Sequence, residues 1–500
     1  VSDVTPSSHS NAKINRRALL SGSIGFIATA GVLLPSRPVC AIEKDYRHGA
    51  LSVMDFGARP GLSDNTASLD AAVRAAAARG LGLYIPQGRF WVRELRLRNG
   101  LRFIEGPGWL VGSDCGPEAV ITTNDLGSTT PVRNMRISVR IDCNYIARRG
   151  IFGVALQDSE ISDCEIVNLS HNGGDAIRLN FPGSSGNVVT RNRVVLATSG
   201  AARFPEGLFG IHVVGESVTS KGGLERLGRP SFVTMTTRNN RIIANHVTGG
   251  THGIGFFSAP DFICSDNLLE RQILRNIIAG PTCIRGVIER NRCMEAGSSG
   301  VHIALGSSMV RIANNLIRSS RVSENEDDDA AIQAYAYCTD IEITNNDIAG
   351  DWRYGVYVGY ARNVMIFGNS IDATNFRSAS IAIESGWQST LPPQARFSRA
   401  RAVGYQIDID TTDIFVKRNI INGGPAAFSL AQIGPRSLTR VRLVSNRVRS
   451  AATDVVAVEL KPGALADLEL IGLDTDAAAP HLELPRGRAH FSRIEGVKIP

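Results

Sequence analysis

The sequence predicts an all-β fold: a single-stranded right-handed parallel β-helix with a short N-terminal capping helix. Three observations predict it. A strand ending in Asn recurs along the chain, and a second strand recurs in register between those asparagines. The chain also carries 50 glycines and only 6% aromatic residues, a composition that suits stacked strands with tight turns.

The first element is a targeting signal. Asn15-Arg16-Arg17-Ala18-Leu19-Leu20 precedes a small and apolar run from Ser21 to Leu34, followed by Pro38-Val39-Cys40-Ala41. Basic start, apolar stretch and small-residue exit are the parts of a secretory signal, and the paired arginines resemble a twin-arginine export signal. Residues 1–41 are therefore expected to be removed, leaving residues 42–500 as one periplasmic or secreted domain of a bacterial protein. No later apolar run is long enough to span a bilayer, so no membrane contact is expected after signal removal.

Charge limits the partners. The formal charge is +7, of which +3 falls in residues 1–41 and +4 on the rest. A mildly basic chain tolerates an acidic partner without requiring one. No cluster of Lys and Arg with interleaved aromatics appears, so nucleic acid is not expected. The eight cysteines form no CxxC framework, which argues against a disulfide scaffold. Cys143 and Cys164, in similar contexts, are expected on adjacent coils, with a disulfide between them left open.

The entry segment follows. Val53-Met54-Asp55-Phe56-Gly57-Ala58 leads into Ser63-Asp64-Asn65-Thr66 and a helical stretch from Ala67 to Arg79, with Ser63 and Asp64 as caps and Gly80 as its end. Leu83-Tyr84-Ile85-Pro86 then reads as a strand and Gln87-Gly88 as a turn. Residues 51–92 resemble the N-terminal cap of the pectate-lyase superfamily. That resemblance implies a helix covering the open end of a β-helix and a function on polysaccharides. It implies no named activity. Gly174-Asp175 and Thr251-His252-Gly253 only echo polygalacturonase motifs, whose remaining motifs are absent. The Asp-Pro-His motif of mannuronan epimerases is missing too.

From about residue 100 to 450 the chain repeats, with further coils expected over 451–500. The Asn-terminated strands end at Asn315, Asn346, Asn369, Asn419 and Asn446, at spacings of 31, 23, 50 and 27. The spacing of 50 reads as a double step. These asparagines read as structural, stacking from coil to coil. Between them lies the second strand, seen in Asp175-Ala-Ile-Arg-Leu179, Gly300-Val-His-Ile-Ala304 and Gly355-Val-Tyr-Val-Gly359. Period-two alternation buries Ile and Val and turns Arg178, His212, Gly255, His302, Gln333, Tyr357 and Ala382 outward in one column. Tyr335 and Glu384 fall in the next outward column.

Excursions of the chain at about 197–209, 215–239, 259–280, 321–330 and 385–412 leave or enter the ends of this strand, so they are expected to wall a solvent-lined cleft over it. On its floor the candidate catalytic residues are Arg178, His212, His302, Tyr357 and Asp175. The candidate substrate-binding residues are Gln333, Tyr335, Glu206, Asp328, Trp352, Glu384 and Trp387, the tryptophans as sugar-stacking platforms. Asp327, Asp328 and Asp329 leave calcium open; no other cofactor is expected. Two chemistries fit. Elimination on a uronate needs a base such as His212, His302 or Tyr357 and a cation such as Arg178. Hydrolysis needs two carboxylates, for which Asp175 with Glu206 or Asp328 are the candidates. The His and Arg on the floor favour elimination. A non-catalytic glycan-binding or envelope-structural β-helix is the alternative.

Overall fold

The computed structural model describes residues 49–113, 118–170, 172–198, 207–215, 236–320, 329–385, 410–432, 437–449, 454–459, 467–476, 481–483 and 490–495. The expected signal segment lies outside them. Helix α1 (Thr66–Arg79) follows Asn65, and Asp64 Oδ1 accepts the Thr66 amide at 2.8 Å. Gly80, at φ +64, ends the helix in the left-handed conformation. Leu69, Ala72, Val73 and Ala76 form its buried face, which packs on the first strands, Ala50–Ser52 and Gly82–Tyr84. The helix thus shields the first coil, whose core side chains would otherwise face water.

The fold is a right-handed parallel β-helix. Every strand pairing among the described residues is parallel, and each strand pairs with its counterparts one coil before and one coil after. Each coil contributes to three faces. Sheet A carries Gly174–Asn180, Leu208–Val214, His252–Phe257, Arg275–Ala279 and Ser299–Ala304. Sheet B carries short strands such as Val188–Thr190 and Arg241–Ile243, and sheet C strands such as Arg193–Val195 and His246–Thr248. Ile, Val and Leu from all three faces stack into one continuous core.

The turn from sheet B to sheet C is held by an asparagine ladder. Nine asparagines (192, 245, 267, 291, 315, 346, 369, 419 and 446) stack in order, each donating Nδ2 to the Oδ1 of the next at 2.9–3.0 Å. The amide of each rung also donates to that Oδ1, as Asn346 N does to Asn369 Oδ1 at 2.9 Å. Buried amide groups are thereby satisfied along the whole stack. Asn369 and Asn419 are adjacent rungs, so the spacing of 50 is a single coil carrying a long insertion, not a double step.

A second correction concerns residues 259–280. They are not an excursion but most of one complete coil, with strands Ile263–Ser265, Leu268–Glu270 and Arg275–Ala279. The three-residue strands of sheets B and C are too short to show alternation. In sheet A, moreover, Asn276 and Ile278 replace the small and polar residues of the repeat.

Sheet A departs from strict alternation at one column. Gly210, Gly300 and their counterparts precede the inward Ile or Val. A Cβ at Gly210 would lie 2.4 Å from Val247 Cγ1, and one at Gly300 2.5 Å from Ile317 Cγ2. The small residue therefore faces the core beside the next one. The residue before it returns to the outer face, so sheet A presents three outward columns rather than two.

Candidate active site

The first two outward columns hold most of the candidate chemistry. Column one runs Arg149, Asp175, Phe209, His252, Arg275, Ser299, and column two Phe152, Arg178, His212, Gly255, Ile278, His302, Gln333, Tyr357. The register expected from the sequence is thus the observed one, with Ile278 inserted. The environment is not the expected one. Asp175, His212, His302, Gln333 and Tyr357 are 2–5% exposed, so this face is closed off from solvent rather than a wet floor.

Three of the candidates converge at one point. His212 Nδ1 lies 2.8 Å from Asp175 Oδ1. Asp175 Oδ2 accepts from Arg149 Nε and Arg178 Nη1, each at 3.2 Å. Burial pushes the Asp175 carboxyl up, but His212, Arg178 and Arg149 outweigh it and hold the group below the usual carboxylate range. Asp175 is therefore ionised. Burial pulls His212 below the ordinary imidazole value against the opposing carboxylate, so near neutral pH its ring carries one proton. That proton sits on Nδ1, donated to Asp175, and leaves a bare lone pair on Nε2. Nε2 is buried and has no hydrogen-bond partner among the described residues.

The ring is fixed by packing as well. His212 stacks on Phe209 at 4.0 Å and 9°, and meets the edge of Phe257 at 4.7 Å. Gly255 makes room for that stack, because a Cβ there would come within 2.6 Å of the Phe209 ring. Arg178 is the least buried member, with 22% of its side chain exposed, and is aimed by Asn180 Oδ1 at 2.9 Å. His252, one coil on, packs on Phe209 at 4.6 Å. Burial drives it well below the ordinary imidazole value, and Arg275 and His212 add to the shift.

The other candidates stand apart. His302 is three coil steps from His212, about 14 Å at the usual strand spacing. It bonds Gln333 and meets the Tyr335 ring edge-on at 5.0 Å. Tyr357 is two steps further. It packs on Tyr354 at 5.4 Å, and Tyr354 donates to Glu384 Oε1 at 3.4 Å. Burial, and then the Glu384 charge, push the Tyr357 phenol well up. Tyr335, Tyr354 and Tyr357 with Ala304 and Ala382 form a small apolar cluster of their own. Five candidate catalytic groups therefore do not meet on one bond.

Trp352 is a core residue, not a sugar platform. It is 1% exposed, within the main core, and its Nε1 donates to Ala349 O at 3.1 Å. Glu206, Asp327, Asp328 and Trp387 lie outside the described residues. Asp329 is buried and paired with Arg377. Sequence reasoning missed Arg149, Phe209 and the placing of His252 in column one. Sliding the template by one residue would have found them, since Arg149-Gly150-Ile151 and His252-Gly253-Ile254 match Asp175-Ala176-Ile177.

Comparisons with known proteins agree with this architecture. A family model described as periplasmic copper-binding protein (NosD) matches residues 224–422, less than half of the chain. The N-terminal fragment of gene product 12 of bacteriophage Phi29 is 15% identical, with a TM-score of 0.58 over 86% of this chain and 71% of that one. PfbA, a surface adhesin of Streptococcus pneumoniae, is 14% identical, with a TM-score of 0.50 over 83% and 93%. The AlgE6 A-module, a mannuronan C-5 epimerase of Azotobacter vinelandii, is 16% identical, with a TM-score of 0.45 over 86% and 100%. No curated protein matches the sequence.

The first two solved structures share the parallel β-helix fold.

Copper finds no fit among the described residues. No three His, Cys, Asp or Glu side chains converge. Cys143, Cys164, Cys264, Cys283, Cys293 and Cys338 are free, buried thiols. Burial pushes them up, Cys164 and Cys283 to about 12, and none of the six belongs to a cluster of three such side chains among the described residues.

Proposed function

We propose that the protein is an exported, periplasmic or secreted lyase that cleaves an acidic, uronate-containing polysaccharide by β-elimination on sheet A. The observation that carries the reading is the Nε2 of His212, which no described residue bonds and whose tautomer is fixed by an ionised Asp175 beside the Arg178 guanidinium. Nε2 takes the proton from the carbon next to the uronate carboxylate. The C–H electrons form the new double bond, the glycosidic oxygen leaves, and the proton on His212 returns to it. Arg178 neutralises the uronate carboxylate, which makes that proton removable. Because Nε2 is closed off in this structure, a substrate reaches it only when that face opens.

Hydrolysis is less well supported by the described residues. A glycosidase acid needs a raised pKa, whereas three cationic or hydrogen-bonding partners hold Asp175 low. Glycan binding without catalysis is the second reading, and the near-complete burial of His212 and Tyr357 favours it. The test is ultraviolet absorbance of the unsaturated uronate product, on a panel of acidic polysaccharides, with reducing ends followed in parallel. A lyase raises both signals. New reducing ends without the absorbance would overturn the elimination reading, and silence in both would move the protein to the binding reading.

A further inference from the structure

A second feature lies at the corner where sheet A turns into sheet B, on the coils that carry the dyad. It is a cleft of about 310 Å³ lined by Thr129, Gln157, Pro182, Gly183, Thr236 and Arg238. Its residues come from consecutive coils, two of which hold the dyad. Gly183 follows the strand that carries Asp175 and Arg178, and Arg238 belongs to the coil of His212. Gly183 lies five positions beyond Arg178, at most about 16 Å along the chain.

The cleft is built on fixed backbone. Gly183, at φ +79, has its amide donated to Thr236 Oγ1 and its carbonyl bonded by Gln157 Nε2, both at 2.9 Å. Gly186, at φ +71, donates to the Arg238 carbonyl at 3.0 Å, and a Cβ at 186 would lie 2.4 Å from Asp158 Oδ1. The turn therefore holds its shape and leaves hydroxyl and amide groups around an opening with no side chain at position 183. Arg133 stands behind it, donating to Gln157 Oε1 at 2.9 Å.

Charge distinguishes this cleft from one at α1. That one mixes Arg93, Arg96 and Arg98 with Asp64, Glu94 and Asp70, and these groups pair with each other. Among the described residues the corner cleft has no carboxylate in its lining, and Arg238, exposed at its mouth, makes no ion pair. Hydroxyls, an amide and one free guanidinium suit a sugar unit that carries a carboxylate.

We propose that this cleft is a distal subsite that holds a uronate unit of the same polymer, away from the reacting bond. The inference rests on the reading of sheet A as the site for an acidic glycan. It assigns Arg238 to the carboxylate and Gln157 and Thr236 to the hydroxyls.

The experiment measures binding by calorimetry, with uronate oligomers of graded length and a neutral oligosaccharide of matched length. The proteins are wild type, Arg238→Gln, Thr129→Trp to fill the mouth, and Arg290→Gln. Arg290 is an exposed, ion-paired residue at the turn from sheet B to sheet C and controls for net charge alone. The proposal expects Arg238→Gln and Thr129→Trp each to weaken long uronate oligomers about tenfold, the value of one charge-assisted hydrogen bond. The shortest oligomers and the Arg290→Gln protein stay as wild type. Equal weakening by Arg290→Gln, or none by Arg238→Gln and Thr129→Trp, overturns the subsite. Loss of turnover in His212→Asn with these binding data unchanged would leave the parent reading standing. Absence of any turnover in wild type would sink the lyase while the binding series still judges the cleft.

Discussion

Replacing Asp175 by Asn is the sharpest test of how the site is held together. The substitution keeps the shape and removes the charge. Among the described residues, Arg149, with 8% of its side chain exposed, is left facing only Glu118, and Arg178 loses its one carboxylate. Breaking a buried ion pair from one side costs roughly 3–5 kcal/mol. Arg149 keeps Glu118 and Arg178 is partly exposed, so a loss of about 3 kcal/mol is expected. The sign with pH follows from the direction of the shift. The folded Asp175 carboxyl lies below its unfolded value, so its stabilisation is complete above the ordinary aspartate range and is lost as pH falls from that range through the lower folded value. The gap between wild type and Asp175→Asn should therefore be full at neutral pH and close in acid. Urea denaturation followed by circular dichroism at both pH values reads it. In the same variant an amide can donate to Nδ1 and move the ring proton to Nε2, which removes the base, and a loss of activity of about a thousandfold or more is expected. Equal denaturation midpoints at neutral pH, or a gap that widens in acid, would refute the ionised dyad.

Other expectations follow from the same geometry. Asn346→Ala removes the acceptor of the Asn315 amide and the donor to the Ile312 carbonyl, both buried, and should cost about 3 kcal/mol or more in thermal or urea unfolding. An effect below about 1 kcal/mol would contradict the ladder's role. His302→Ala opens a cavity against Tyr335 and strands Gln333, and should cost about 2–3 kcal/mol; unchanged stability would mean that the side chain faces water after all. His212, His252 and His302 all sit below the ordinary imidazole value, burial being the first cause. Their protonation therefore favours the unfolded chain, and stability should be highest above a pH of about 6.5 and fall below it. A midpoint that does not move between about pH 7.5 and pH 5.5 would refute that.

The repeat was legible because two separate patterns reported the same coil. The terminal asparagines gave five of the nine rungs, and alternation placed Arg178, His212, His302, Gln333 and Tyr357 in one column. What misled was any position where the pattern lapses for a packing reason. The inward small residue, Ala176 in the strand of Asp175 and Gly210 in that of His212, adds a second core-facing position and puts Asp175 on the outer face with His212. Burial was not legible either. An outward direction on a strand says nothing of what lies above it, so groups expected in solvent form a closed polar and aromatic layer. Trp352 flanks that strand in sequence, yet its indole turns into the core.

The most direct measurement is the rate at which the unsaturated-uronate absorbance rises when wild type and His212→Asn are given the same acidic polysaccharide. The account predicts a rise with wild type, and with His212→Asn a loss of nearly all of it while the folded circular-dichroism spectrum is kept. A His212→Asn protein that is folded and as active as wild type would contradict His212 as the base.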